Sequence, residues 1–316
     1  MKKHDQKFVK LVLEGGGMRG IYTAGVLDFF MEKGLIFKSV IGVSAGAGCA
    51  TSYVTNQPYR MRRIYVEFSN DPRMIGFKSY FKTKSFFGID FIFREIPDEI
   101  YPIHYDDFPK SKIKMEVSVT EALTGKPAYF QINDLRKDID KVIASASIPI
   151  VSPLVEIEGT LYADGGVSDP IPMDYSFSQG FGKQVLVLTR NYDFEQKKDS
   201  GLLTGIMLKK YPMLQSAVDN RYIFYNQLLK RIKELEKNKE IVVLRPSEPL
   251  DKLDKFEKDP QKLDNLYLMG YRDAKHKYLE IVEYAKKTKN FEYDKKKYKE
   301  FVKKQKKKEK NGTKKI

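Results

Sequence analysis

The sequence predicts an α/β protein built on a mostly parallel sheet covered by helices. Three observations carry this reading. Residues 8–13 form an apolar, strand-like run that leads straight into Glu14-Gly15-Gly16-Gly17-Met18-Arg19-Gly20. A helix is expected over 21–33, with Gly34 where a C-cap belongs. A second apolar run, 40–43, stops at Ser44, and the small residues 45–52 after it suit a helix packed close to the sheet. Strand, loop, helix, strand, turn, helix is the alternation that produces parallel strands.

The remaining elements follow in order. Residues 113–120 alternate as a strand and 128–132 as its partner. Asp134 stands where it would cap a helix running to Ser147. Pro149 and Pro153 then stiffen an extended passage. Residues 161–164 read as a short strand ended by Gly165-Gly166, and 185–189 and 241–244 as further strands. Long amphipathic helices are predicted over about 205–238 and 260–286. Residues 58–112 are rich in aromatic and basic side chains. Within them, 74–93 mixes large apolar groups with Lys78, Lys82 and Lys84, and reads either as a flap over a site or as packing on the sheet edge. No internal repeat is visible.

Composition limits the function classes. The chain has 316 residues, enough for a sizeable core. Its one cysteine, Cys49, rules out an intrachain disulfide and points to a reducing, cytoplasmic setting. Cys49 reads as a small packing residue rather than a second nucleophile. The N-terminal apolar run is too short for a signal peptide, and no apolar stretch is long enough to span a membrane. The net charge of +15 is uneven. Residues 285–316 hold fifteen lysines and four acidic residues, +11, which leaves +4 for the rest. This tail reads either as an attraction to anionic lipid or nucleic acid or as a solvated helix end. Phe291, Tyr293, Tyr298 and Phe301 can share one helical face, docked or turned to lipid.

Three stretches carry chemistry. Gly42-Val43-Ser44-Ala45-Gly46 has the Gly-x-Ser-x-Gly form of a nucleophile elbow, in which a sharp strand-to-helix turn lifts a serine hydroxyl to a helix N-terminus. The Gly15–Gly17 loop formally matches a dinucleotide fingerprint, but no acidic residue ends the second strand to hold a ribose. The competing reading is an oxyanion hole, with backbone N–H groups facing developing charge, each worth roughly 3–4 kcal/mol of barrier. Arg19 would add positive charge or brace this loop. Asp164-Gly165-Gly166 puts a carboxylate at a strand end, the edge where open α/β sheets place their sites. Asp169, before a proline, is the rival carboxylate and reads as a turn or cap. A serine triad needs a histidine. His4 precedes the first strand and His276 lies far from every motif, which leaves His104 as the one serious candidate.

In this order, these three stretches resemble the patatin-like phospholipases, bacterial members especially. Ala144-Ser145-Ala146-Ser147-Ile148-Pro149 resembles the family too. The resemblance runs from the first strand to about Asp169. It implies a three-layer α/β/α fold; with the helices read above, this gives a hydrolase domain with a C-terminal helical part over 1–285 and, from composition, a lysine-rich tail over 286–316. It implies acyl-ester hydrolysis through an acyl-serine intermediate, with no metal and no cofactor. Ser44 carries over as nucleophile, Asp164 as general base, Gly15, Gly16, Gly17 and Arg19 as the oxyanion loop, and Gly42 and Gly46 as the elbow. The expected substrate is a phospholipid or related fatty-acyl ester. The expected partners are that lipid and, through the tail, the inner face of an anionic membrane, with no specific nucleic acid. Two other functions stay open: a soluble carboxylesterase on the same fold, and a nucleotide- or polyanion-binding protein.

Overall fold

The apolar runs of the sequence become strands buried on both faces, as parallel strands between helical layers must be. A computed structural model describes residues 6–76, 85–198, 208–250 and 253–312, with side chains as far as 305. In chain order, β1 (Val9–Leu13) leads through a 3-10 turn at Gly17–Gly20 into α1 (Ile21–Lys33). Next come β2 (Ile36–Phe37), β3 (Ser39–Gly42), α2 (Ala45–Val54) and α3 (Arg60–Glu67). A wide π-type helix around Pro97, α4 (Phe91–Ile100), precedes the short α5 (Asp107–Ser111). Then follow β4 (Lys114–Glu121), β5 (Pro127–Ile132), α6 (Ile139–Ser145), β6 (Val155–Ile157) and β7 (Thr160–Asp164). The chain continues through α7 (Met173–Ser178), β8 (Lys183–Val187), α8 (Pro212–Lys237) and β9 (Val242–Leu244). It ends with α9 (Pro260–His276), α10 (Tyr278–Ala285), β10 (Phe291–Glu292) and α11 (Lys295–Gly312).

The main sheet has the order β6-β7-β4-β3-β1-β8-β9, with β5 also paired to β4. The five strands from β4 to β9 are parallel, while β5, β6 and β7 are antiparallel to their neighbours. Alternate residues of β1 feed the two helical layers. Leu11 and Leu13 pack with α1, α2, α9 and α10, and Val12 packs with α7 and α8. The fold is therefore three-layered, α/β/α, around a mostly parallel sheet.

Several element boundaries depart from the sequence reading. Asp134 caps no helix. Its carboxylate accepts from the N–H groups of Arg136 and Lys137 in a local turn, and α6 begins one turn later, after Asp138. The helix expected from 205 begins at Pro212, whose ring favours the first helical turn; residues 199–207 lie outside the described residues. The helix expected over 260–286 breaks at Lys277, where the chain turns so that Tyr278 is fully buried against Phe29 and Phe301. Of the 74–93 stretch, residues 77–84, with Lys78, Lys82 and Lys84, lie outside the described residues.

Candidate active site

Ser44 sits in the turn between β3 and α2 with φ 53° and ψ −122°, a backbone shape that costs a non-glycine residue on the order of 1–3 kcal/mol. Its neighbours explain how the turn closes. A Cβ on Gly42 would stand 2.6 Å from the backbone of Ala47, and one on Gly46 would stand 2.5 Å from the carbonyl of Leu13. Only glycine permits both approaches. The strained turn is held by bonds on both sides: Ser44 N–H donates to Ser145 Oγ at 3.0 Å, which donates to the Ser118 carbonyl at 2.7 Å. The Gly48 N–H donates to the Ser44 carbonyl and starts α2.

The glycine loop lies directly against this turn because β1 and β3 are adjacent and parallel, with Leu13 opposite Gly42. A Cβ on Gly15 would meet Ser44 Cβ at 2.8 Å, so the backbone of the loop presses on the serine itself. Gly17 has φ 58° and is pinned from outside, where Met18 N–H donates to the Lys255 carbonyl at 3.0 Å. Among the described residues, no group accepts from the N–H of Gly15, Gly16 or Gly17. Arg19 is buried beside the loop, and its Nε has no hydrogen-bond partner there. Burial, and then the nearby Arg190, hold its guanidinium down to about 10.

Asp164 reaches the site by a route the sequence does not reveal. β7 is antiparallel to β4, so its end is not at the carboxyl edge in the sense of its parallel neighbours. Instead β7 starts beyond that edge and descends. Gly42 pairs with Val117 and Asp164 with Val119, which sets the carboxylate two residues past the end of β3, level with Ser44. Asp164 is only 4% exposed, and burial lifts its carboxyl to about 6 against the pull of the Ser44 hydroxyl, the Gly166 N–H and the charges of Arg221 and Lys255. The Gly166 N–H donates to Oδ1 at 2.7 Å, and Thr120 Oγ1 donates to the Asp164 carbonyl at 2.8 Å. Asp169 is buried elsewhere and accepts from the Tyr129 hydroxyl at 2.6 Å.

The other candidates stay apart. His104 is exposed and faces Asp107 at 3.6 Å. His276 borders a separate cavity with Asp273 and Arg245, and His4 lies outside the described residues. Cys49 is fully buried, points its sulfur at the Gly20 carbonyl, and is pushed up to about 12 by burial, as a packing residue would be.

Two cavities meet at Ser44, with Gly17 and Ile148 also bordering both. One, of about 90 Å³, is apolar and is walled by Met74, Phe87, Ile89, Ile92 and Phe93 from the stretch that had two readings. The other, of about 480 Å³, is mixed, with a charged wall that contains Asp164, Arg19 and residues the sequence gave no reason to single out: Glu14, Arg190, Arg221 and Tyr225. Glu14 is buried at the end of β1, accepting from the Thr189 N–H at 2.7 Å and from the Tyr225 hydroxyl. A charge set between an apolar strand and three glycines was the one available signal for it; nothing local marks Arg190 or Arg221.

Fold and site together define an α/β/α protein with a serine on a strained strand-to-helix turn, a buried aspartate beside it and a glycine loop against it. The chain belongs to the patatin-like phospholipase family, whose profile matches residues 11–176, just over half of it. A domain of unknown function, DUF6363, matches residues 211–286, the span from α8 to α10. The uncharacterized protein YjjU of Escherichia coli K12 is 29% identical over 186 residues, 57% of this chain and 52% of YjjU. An uncharacterized NTE family protein of Mycobacterium tuberculosis H37Rv is 27% identical over 166 residues, 52% of this chain and 44% of its own. A probable lipid hydrolase of Invertebrate iridescent virus 6 is 26% identical over 181 residues, 52% of this chain and 61% of its own. The chain thus spans about half the length of the curated relatives it matches. Among solved structures, VipD of Legionella pneumophila matches with a TM-score of 0.42 at 12% identity, over 86% of this chain and 66% of that one.

Proposed function

We propose that this chain is a serine lipid acyl hydrolase working through a Ser44–Asp164 dyad. The observation that carries the reading is the pairing of a strained, buried serine with a buried aspartate raised to about 6, whose ionised form the serine hydroxyl favours. In the proposed reaction, Ser44 Oγ attacks the ester carbonyl carbon while its proton passes to Asp164. The carbonyl oxygen becomes an oxyanion facing the N–H groups of Gly15–Gly17, with the charge of Arg19 behind the loop. Collapse breaks the bond to the alcohol, which leaves with the proton from Asp164. Water then attacks the acyl-serine, giving a proton to Asp164, and release of the acid returns it to Ser44. The apolar cavity takes the acyl chain. Family membership and the relatives named as NTE family protein and lipid hydrolase support an acyl-ester substrate.

The size of that cavity favours a second reading within the same chemistry. About 90 Å³ is well below the roughly 300–1,000 Å³ of a typical small-molecule site, which suits short acyl chains and so a soluble carboxylesterase. One experiment tests both. A fluorophosphonate should label the wild type and not Ser44→Ala, and the variant should lose hydrolysis of a p-nitrophenyl ester and of phospholipid vesicles alike. Labelling that persists in Ser44→Ala would remove the dyad reading. Turnover of the soluble ester without the vesicle lipid would select the carboxylesterase.

A further inference from the structure

The larger cavity beside Ser44 takes part of its wall, and most of its cations, from chain beyond the patatin-matching residues. Arg190 follows β8, Arg221 and Tyr225 stand on α8, and Asp254 and Lys255 precede α9. α8 and α9 lie within the span matched by the domain of unknown function. This segment is joined to the catalytic loops by direct bonds. Arg221 Nε donates to the Gly166 carbonyl, two residues from Asp164, and Tyr225 donates to Glu14, one residue before the glycine loop.

Three guanidiniums gather here at an electrostatic cost. Burial first, and then Arg190, lower the proton affinity of Arg19; burial likewise lowers that of Arg190, with Arg221 adding to it against the pull of Tyr225 and Glu14. Their near neighbours are chiefly rings and carbonyls: Arg190 lies over Phe194 at 4.1 Å and Arg221 over Tyr225 at 5.2 Å, while Arg19 Nε has no partner among the described residues. Glu14 and Asp254 are close enough to be felt by Arg19 and Arg190, but the oxygens of Glu14 are already taken by Thr189 and Tyr225. Lys255 adds a further cation, and Asp219 and Asp164 complete the acidic side. Guanidinium forks match phosphate oxygens in pairs, whereas an ammonium placed among them is repelled.

We propose that Arg190 and Arg221, with Arg19, form a site for a phosphate head group of net negative charge, so that chain beyond the patatin-matching residues, Arg221 of the segment of unknown function included, helps set which acyl ester reaches Ser44. The reading rests on the hydrolase proposed above and adds its selectivity: glycerol head groups over choline or ethanolamine ones. Because Arg221 also braces Gly166, it acts as a specificity residue with a positioning share, and Arg190 as a specificity residue.

The test uses the full chain and monomeric dihexanoyl phosphatidylglycerol and dihexanoyl phosphatidylcholine, so that surface attraction plays no part. The wild type should favour the glycerol lipid at least tenfold in kcat/KM. Arg190→Gln and Arg221→Gln should each cut that ratio at least fivefold, mainly through KM. Arg231→Gln removes the same charge from the outer face of α8, where Arg231 pairs with Asp174, and should leave the ratio alone. No preference in the wild type, or an equal shift in Arg231→Gln, would overturn the proposal. Binding of glycerol 1-phosphate, measured by calorimetry, reads the site without hydrolysis. It should exceed that of inorganic phosphate and fall at least fivefold in Arg190→Gln. Equal binding of the two, or no loss in the variant, would also overturn it. If Ser44 is not labelled and neither lipid turns over while glycerol phosphate binds as expected, the hydrolase reading fails and the anion site stands.

Discussion

A carboxyl raised to about 6 is a better proton acceptor from a serine than an ordinary aspartate near ~4, yet it is still ionised at neutral pH. On the proposed mechanism, protonation of Asp164 below about pH 6 blocks transfer of the Ser44 proton, so kcat/KM should rise from pH 5 to 7 through a single step near 6 and then level off. Asp164→Asn should abolish that step and lower turnover by roughly 10²–10⁴-fold; a variant retaining most activity would put the base elsewhere. In the proposed mechanism Ser145 acts as a positioning residue, through its bond to the Ser44 N–H. Ser145→Ala leaves the buried Ser44 N–H without an acceptor, a cost of about 1–3 kcal/mol that should appear as a lower Tm together with a roughly tenfold loss in kcat. Loss of Tm with kcat intact would show that the turn holds its shape without this bond. Ser44 was legible in the sequence because a turn this tight demands small neighbours, and Gly42 and Gly46 are their trace. Ser145, Glu14 and Arg221 were not, because their importance lies in partners 101, 211 and 55 residues away rather than in their own surroundings.

At the scale of elements, the segment of unknown function is bound to the patatin-matching part through a close crossing of α1 and α9. A Cβ on Gly25 would meet the Tyr267 carbonyl at 2.1 Å, and one on Gly270 would meet the Tyr22 carbonyl at the same distance. Tyr267 donates to Asp28 at 2.8 Å inside this contact, and burial raises the Asp28 carboxyl to about 6. An acid raised above its unfolded value near ~4 favours the folded state while it is protonated. That advantage fades as pH rises from about 4 to 6, and above 6 the buried charge costs about 2–3 kcal/mol. Asp28→Asn keeps an acceptor for Tyr267 without the charge. It should therefore raise stability at pH 8 by about 1–2 kcal/mol, with the gain shrinking toward zero by pH 4, as read by denaturant unfolding. A gain independent of pH would assign the effect to packing instead. Strands and long helices were legible from apolar periodicity. The direction of β7 was not, since a strand's residues do not encode which way it runs, and it is this reversal that brings Asp164 down to Ser44. The break at Lys277 was equally hidden, because neither Pro nor Gly marks it and the cause is the burial of Tyr278.

For the whole molecule, the question is how a basic tail relates to the site. The tail joins the fold at the edge opposite Ser44. β10 pairs with β2, and the Asn290 side chain bonds the backbone of Val9, the first residue of β1, whereas the glycine loop and Ser44 follow the far ends of β1 and β3. The tail's aromatic residues are spent on the body: Phe291 is buried against Phe37, and Phe301 packs on Tyr278 at 4.8 Å. That leaves lysines as its contribution, and residues 302–316 hold eight of them with one glutamate, +7 of the net +15. No helix of the described residues is long and apolar enough to cross a membrane. We propose that the tail draws the protein to anionic surfaces by charge alone, without presenting the cleft to them. Each lysine near such a surface is worth about 1 kcal/mol and is screened by salt. Truncation after Phe301 should then weaken binding to phosphatidylglycerol-containing vesicles at least tenfold in low salt and flatten its salt dependence, while hydrolysis of a monomeric short-chain ester stays within about twofold of the full chain. If the truncated chain bound vesicles as well as the full one, the cleft edge itself would be the membrane-facing surface. If monomer hydrolysis fell in step with vesicle binding, the tail would have to reach across the sheet to the site.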